Sequence, residues 1–209
     1  MAERKHGVPA PPTESTVRNQ DWDGQDLTGQ THTRVCFSHV DLTESTGTGA
    51  LFTECAFRDC RFNASSHVDA AFVNCTFTGC SFFDASFLRC KLLGSVFDRC
   101  GFDLMKVTGG DWSFVGLPGA DLRKAVLTGV RMREADLTGA RCQGATLHRV
   151  DLSGACLHGA DLSGADLRGS DISAVDPWNT TVAGTVVDIE QAIVLAGLMG
   201  LDVQPGLDG

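Results

Sequence analysis

The stretch DLSGACLHGADLSGADLRGSDIS, residues 151–173, decides the fold. Leu152, Leu157, Leu162, Leu167 and Ile172 recur at every fifth residue. Two places before each stands a small one: Val150, Ala155, Ala160, Ala165 and Ser170. A helix repeats near 3.6 residues and a strand at 2, so neither produces this beat. A fixed internal period comes first among the signals a chain can give about its architecture.

The same frame extends in both directions without a break. From Trp22 to Val187 it offers 34 positions, all apolar except His32, Gly47, His67 and Pro177. Ten of the 12 phenylalanines lie on it, leaving Phe83 and Phe114 outside. Two residues earlier runs a frame of small side chains. Cys55, Cys60, Cys75, Cys80, Cys90 and Cys100 occupy it first, and Ala120, Ala125, Ala135, Ala140 and Ala145 later. Two residues after the centre, glycine appears repeatedly, as at Gly119, Gly139, Gly159 and Gly164. That position reads as a turn with positive φ, the third residue of a type II turn. Leu117-Pro118-Gly119-Ala120 spells such a turn, with proline second and glycine third. Glycine is scarcer there in the first half, which predicts fewer type II turns before about residue 105.

One large and one small inward side chain per five residues, with a turn between, describes a coil with short flat sides. Four sides per coil place residue n beneath n+20. The columns are then coherent: Phe37, Phe57, Phe77 and Phe97 lead into Leu117, Leu137 and Leu157. The fold class is an all-β solenoid of about eight coils, roughly 40 Å long at the usual strand separation. It occupies 20–187, between a disordered tail over 1–19 and a helix over 188–203 followed by a flexible 204–209.

Ala135-Asp136-Leu137-Thr138-Gly139 and Ala160-Asp161-Leu162-Ser163-Gly164 resemble the tandem A(D/N)LXX units of pentapeptide-repeat proteins. That resemblance implies a right-handed quadrilateral β-helix. CKLLGSVFDRC (90–100), the unbroken register and the departure into VDIEQAIVLAGLMGLDV (187–203) are similar to the MfpA branch, actinobacterial relatives of the Qnr quinolone-resistance proteins. The resemblance implies a homodimer through a C-terminal helix, duplex-DNA-like in shape and charge, that binds DNA gyrase. Many Qnr relatives carry projecting loops, for which this register leaves no insertion. The tail before Trp22 is extra to the MfpA pattern.

The terminal helix also reads on its own residues. Asp188 with Gln191 three later is a capping-box start. Ile189, Ala192, Ile193, Ala196, Met199 and Gly200 follow helical spacing, with Leu195, Leu198 and Leu201 along a second edge. A helix so apolar needs burial on more than one side. One side can cap the last coil and another can join a two-fold partner. Ile189, Ile193, Ala196 and Met199 are the candidate dimer residues.

Composition bounds the rest. The chain has 209 residues, 43% of them apolar, and a formal net charge of −9. It has no run of apolar residues long enough to span a membrane and no signal-peptide pattern at its start, so a cytoplasmic location is expected. The acidic balance speaks against direct nucleic-acid binding and permits a partner that itself binds anions. The nine cysteines do not follow zinc-knuckle spacing and fall on the small inward frame, so packing rather than metal or disulfide is expected. No cofactor is expected. His67 falls beside Gly47 in its column, a local packing adjustment or a pocket. His148 and His158 are on opposite sides.

Aspartate recurs one place before the centre. Asp121, Asp136, Asp151, Asp161, Asp166 and Asp171 are the candidate partner-binding surface. Turn chemistry and solubility account for such residues; an array of carboxylates standing in for phosphates is the functional alternative. Arg123, Arg131, Arg133, Arg141, Arg149 and Arg168 dilute the array, so mimicry depends on how the signs divide among the sides. No nucleophile, base and orienting group fall together, so an enzyme is not expected. The functional reading is a non-enzymatic DNA mimic acting on gyrase and the related topoisomerase IV. It would inhibit the enzyme or protect it from fluoroquinolones or a DNA-targeting natural product. The alternative is a protein–protein scaffold unrelated to topoisomerases.

Overall fold

The structure, a computed structural model, describes residues 12–204. Residues 1–11 and 205–209, parts of the tails expected over 1–19 and 204–209, lie outside the described residues. The chain winds as a four-sided parallel β-solenoid, closed at its C-terminal end by one helix, α1 (Ile189–Leu198). Every strand pairing is parallel and joins residue n to n+20. Phe57 sits over Phe77 and Leu127 over Leu147. Among the described residues, pairing builds sheets of five, six and three strands. The remaining side is joined by single bridges such as Asp21 to Asp41 and Asp121 to Arg141.

The two inward frames fill the interior. Phe37, Phe57, Phe77 and Phe97 form one column of parallel rings with centroids 4.6, 4.8 and 4.9 Å apart. Stacking of this kind adds about 0.5–1.5 kcal/mol per pair beyond the buried area. Past Trp112 the filling changes to leucine with alanine, and both halves are equally dry.

Two boundaries differ from the expected ones. The solenoid begins earlier: Ser15–Arg18 is a strand paired with Val35–Ser38, and Val17 continues the apolar frame beneath Phe37. The stretch from 15 is therefore the first rung rather than tail. The helix ends earlier, at Leu198 with Met199 as its C-cap. Gly200 takes φ +84, its N–H donates to Gly197 O at 2.9 Å, and Leu201 N–H reaches Ala196 O at 2.9 Å. This paired closure stops a helix even where the apolar periodicity continues.

Three-residue strands crowd the first half and thin out after Val96–Asp98. Scarcity of glycine in that half does not remove the positive-φ corner. The corner residue keeps positive φ without glycine: Glu54, Asp59 and Arg89 have φ +55, +52 and +54, against +64 at Gly139. A corner imposed by closure of the coil overrides the local preference of the side chain.

Candidate functional site

The surface aspartates come from one local device. Each aspartate before a centre accepts, through Oδ1, the N–H two residues on. Thr138 N donates to Asp136 at 3.0 Å, Ser163 N to Asp161 at 2.9 Å and Ser173 N to Asp171 at 2.9 Å. Asp121, Asp151 and Asp166 do the same with Arg123, Ser153 and Arg168. A short carboxylate bonding its own backbone two residues on is an Asx turn. One oxygen therefore holds the corner and the other is left for a partner.

Arginines use much of what remains. Asp121 takes Arg123 at 2.7 Å and, from the next rung, Arg141 at 3.0 Å. Asp151 takes Arg133 at 2.5 Å, and Asp166 takes Arg168 at 2.7 Å. Arg123's hydrogen bonds hold the Asp121 carboxyl down at about 2. Arg168 keeps Asp166 well below the usual carboxylate range, and the Ser163 hydroxyl and amide lower Asp161. These groups stay ionised at neutral pH, but exposed pairs add little stability. Asp136, Asp161 and Asp171 have no ion pair among the described residues.

The signs do divide by side. The side whose inward column runs Trp22, Leu42, Phe62, Phe82, Phe102 and Leu122 exposes Asp21, Asp41, Asp121 and Asp161 in one column. Asp23 and Asp103 stand in the next, with Glu44 and Asp84 along its corner. Arg61, Arg123, Lys124 and Arg141 oppose them, so acids outnumber bases two to one. Asp136, Asp151, Asp166 and Asp171 lie on the other three sides.

At the C-terminal end, α1 turns one residue inward. Gln191 is buried, and Leu195 packs on the core. Among the dimer candidates, Ile189 is 77% exposed and Ile193 and Met199 about half, whereas Ala196 is partly covered. Val194, Leu198 and Leu201 are exposed as well. So many exposed apolar side chains on one short helix are the mark of a surface that meets another.

The family model for pentapeptide repeats matches residues 117–154 and 131–169. The matched segment carries pentapeptide repeats, and the same n+20 coil continues from it in both directions. No curated protein matches it. Among solved structures, a trypsin-treated variant of QnrB1, a plasmid-mediated fluoroquinolone resistance protein, aligns at 19% identity and a TM-score of 0.71. The alignment covers 92% of this chain and 99% of that one, a likeness of fold. HetL, a pentapeptide-repeat protein involved in heterocyst differentiation regulation in the cyanobacterium Nostoc, aligns at 20% identity, covering 85% and 87% of the two chains, with a TM-score of 0.43.

The cysteines of the chain do more than fill space. Cys60 Sγ donates to Phe37 O at 3.5 Å, Cys75 to Phe52 O at 3.3 Å and Cys90 to His67 O at 3.3 Å. Ser95 does the same to Phe72 O at 2.7 Å, and Ser170 to Leu147 O at 2.6 Å. A small donor on the inward frame thus reaches a carbonyl of the preceding rung and adds a hydrogen bond to the rung-to-rung ladder. Spacing alone suggested only size; the mixture of Cys, Ser and Thr in one frame was the available signal. Among the described residues no group of three or more His, Cys, Asp or Glu side chains is arranged to hold a metal ion. No helix of the described chain is long and apolar enough to cross a membrane.

His67 is fully buried, stacked on Phe87 with centroids 5.1 Å apart. Its Nε2 lies 3.1 Å from Ser65 Oγ, and Nδ1 has no partner. Burial depresses its pKa to about 4. In the rung beneath, a Cβ on Gly47 would come within 3.1 Å of Leu27 Cβ. The pair is a packing adjustment, and His67 has no route to a ligand.

Proposed function

We propose that this protein is a non-enzymatic DNA mimic that binds DNA gyrase, and the related topoisomerase IV, as a homodimer joined through α1. The observation that carries the reading is the acidic side of the rod, where acids outnumber bases two to one: Asp21 and Asp161 stand there without an ion pair among the described residues, while Asp41 and Asp121 are paired with Arg61 and with Arg123 and Arg141. Regular carboxylates on such a rod offer a DNA-binding channel a polyanion of fixed spacing. Their density is lower than that of duplex DNA, one charge per about 1.7 Å. Complementary fields accelerate encounter and select the partner. The exposed apolar face of α1 supports a two-fold arrangement that doubles the length of the rod. The shared fold with QnrB1 supports the same direction, since that protein confers fluoroquinolone resistance.

Competition with DNA would inhibit supercoiling, and displacement of DNA from the poisoned enzyme would protect it from fluoroquinolones. This reading places the protein in the cytoplasm. The test is a gyrase supercoiling assay with increasing protein, with and without a fluoroquinolone. Loss of supercoiling, or fewer drug-stabilised cleaved complexes, supports the mimic. No effect in either arm, using dimeric protein and gyrase from the source organism, rejects it in favour of a scaffold for another protein.

A further inference from the structure

One corner of the rod reverses the sign of the rest. Its outward column reads Arg89, Gly109, Gly129 and Arg149 on successive rungs. The two glycines remove two side chains in a row and leave a notch between two arginines. Lys91, Asp111, Arg131 and Asp151 form the adjoining column, and Arg133 stands beyond it. All of these except Gly109 line an open groove of about 630 Å³.

The backbone holds the notch open. Gly110, which also lines it, has φ +92, and a Cβ there would fall 2.1 Å from Cys90 O. Only glycine fits. Gly129 has φ +64, and a Cβ there would meet nothing within 4 Å. Any side chain at 129 would project into free space over the groove.

The charges are unequally matched. Arg131 pairs with Asp111 at 3.0 Å and Arg133 with Asp151 at 2.5 Å. Arg89 is held from outside the groove by Asp69, at 2.8 and 2.7 Å. Lys91 and Arg149 have no ion pair among the described residues. Five cations thus face two carboxylates on a chain whose net charge is −9. A guanidinium that holds one carboxylate keeps further N–H groups for an anion. The lining has one apolar side chain, Val130, and no aromatic ring to stack a base.

We propose that this corner is a binding site for an oligophosphate, engaged through consecutive phosphate groups and indifferent to any attached base. Arg89 and Arg149 stand three rungs apart, about 14 Å at the usual spacing. That exceeds one phosphate and suits an extended chain of them. Arginine forks match phosphate oxygens in pairs.

Calorimetric titration of the full-length protein with sodium tripolyphosphate tests the site and needs no topoisomerase. The expected result is saturable binding, weaker for single inorganic phosphate and unchanged within a few-fold for ATP. Lys91→Ala with Arg149→Ala should weaken it about tenfold or more. Gly129→Asp should abolish it, since Asp59, Asp69 and Asp84 already occupy the equivalent corner at φ +52, +50 and +52. Gly129→Asn makes the same backbone demand without the charge and should retain part of the affinity. Arg58→Ala, on another side, should leave it intact. Thermal melts establish that each variant is folded. Three outcomes overturn the proposal: no saturable binding to tripolyphosphate, equal affinity in the Lys91/Arg149 variant, or binding to an oligonucleotide with none to tripolyphosphate.

Discussion

The side-chain amide of Gln191 donates to the main-chain carbonyl of Leu167 at 2.6 Å. The same nitrogen reaches Ser170 O at 2.7 Å, while its oxygen accepts Asp188 N–H at 2.8 Å. A solenoid ends in carbonyls that no further rung can satisfy. One glutamine turns inward from α1, supplies Ser170 O with a donor and gives Leu167 O a second one beside the Ser170 N–H at 2.9 Å. Asp188 completes the joint, accepting Gln191 N with one oxygen and Gly169 N with the other, each at 2.9 Å.

Gln191→Ala should therefore destabilise the protein by about 1–2 kcal/mol, because it removes the side-chain donor to Ser170 O, while Leu167 O keeps the Ser170 N–H at 2.9 Å. In a quasi-one-dimensional stack the loss stays local. Hydrogen exchange should quicken in the last coil, around Asp166 to Asp171, with the phenylalanine rungs unchanged. Urea melts of the variant matching wild type within 0.5 kcal/mol would show that the helix docks by apolar contact alone.

Ile193→Asp should give a soluble monomer. Ile193 is half exposed on the outer face of α1, away from the buried Gln191. A carboxylate there costs nothing in the monomer and would be desolvated without a partner across a two-fold interface. Light scattering reads the mass directly; an unchanged dimer mass would place the interface elsewhere.

His67 predicts the pH profile. Its folded pKa of about 4 lies below the unfolded value of 6.5. The unfolded chain therefore binds a proton that the folded chain refuses. The stability at stake is complete above pH 6.5 and is lost as pH falls toward 4, about 3 kcal/mol by pH 4. His32, also depressed by burial, acts in the same direction. His67→Phe keeps a ring beneath Phe87 and removes the unpartnered Nδ1. It should be at least as stable as wild type at pH 7 and flatten the curve between 6.5 and 4. An identical slope in both proteins would reject the assignment.

The thiols should divide sharply. Burial pushes Cys90 up to about 11 and Cys142 to about 12, whereas Cys156 stands exposed on the surface. Since the thiolate is the reactive form, Ellman's reagent at pH 8 should modify Cys156 quickly and Cys100, half covered, slowly. Denaturation should release all nine. Fast loss of several thiols in the native protein would mean that the rungs open.

The sequence discloses what repeats and conceals what happens once. The five-residue frame shows the side count, the n+20 stacking and the glycine corners, because each recurs many times. Given that stacking, the pairs Asp69 with Arg89 and Asp111 with Arg131, 20 apart, could have been named in advance. Gln191 could not: its partners are carbonyls, which no side-chain pattern records. Ser15–Arg18 was hidden because a lone Val17 among polar neighbours carries no periodicity. The Asx turns explain why the aspartates recur at one position, so their number alone says little about a partner. What bears on a partner is which side they face.

That distinction is testable because asparagine keeps the turn. Asn Oδ1 can accept the same backbone N–H as Asp Oδ1, and asparagine lacks the charge. Asp21 and Asp161 lie on the acidic side without an ion pair among the described residues, so neutralising them strands no arginine. Asp21→Asn with Asp161→Asn should leave the melting behaviour within about 1 kcal/mol of wild type. The same change should weaken inhibition of gyrase several-fold, most clearly at low salt, where screening is least. Asp136→Asn with Asp171→Asn removes two charges from other sides and should affect inhibition less. Equal effects from both pairs would mean that net charge, rather than the acidic side, governs the interaction.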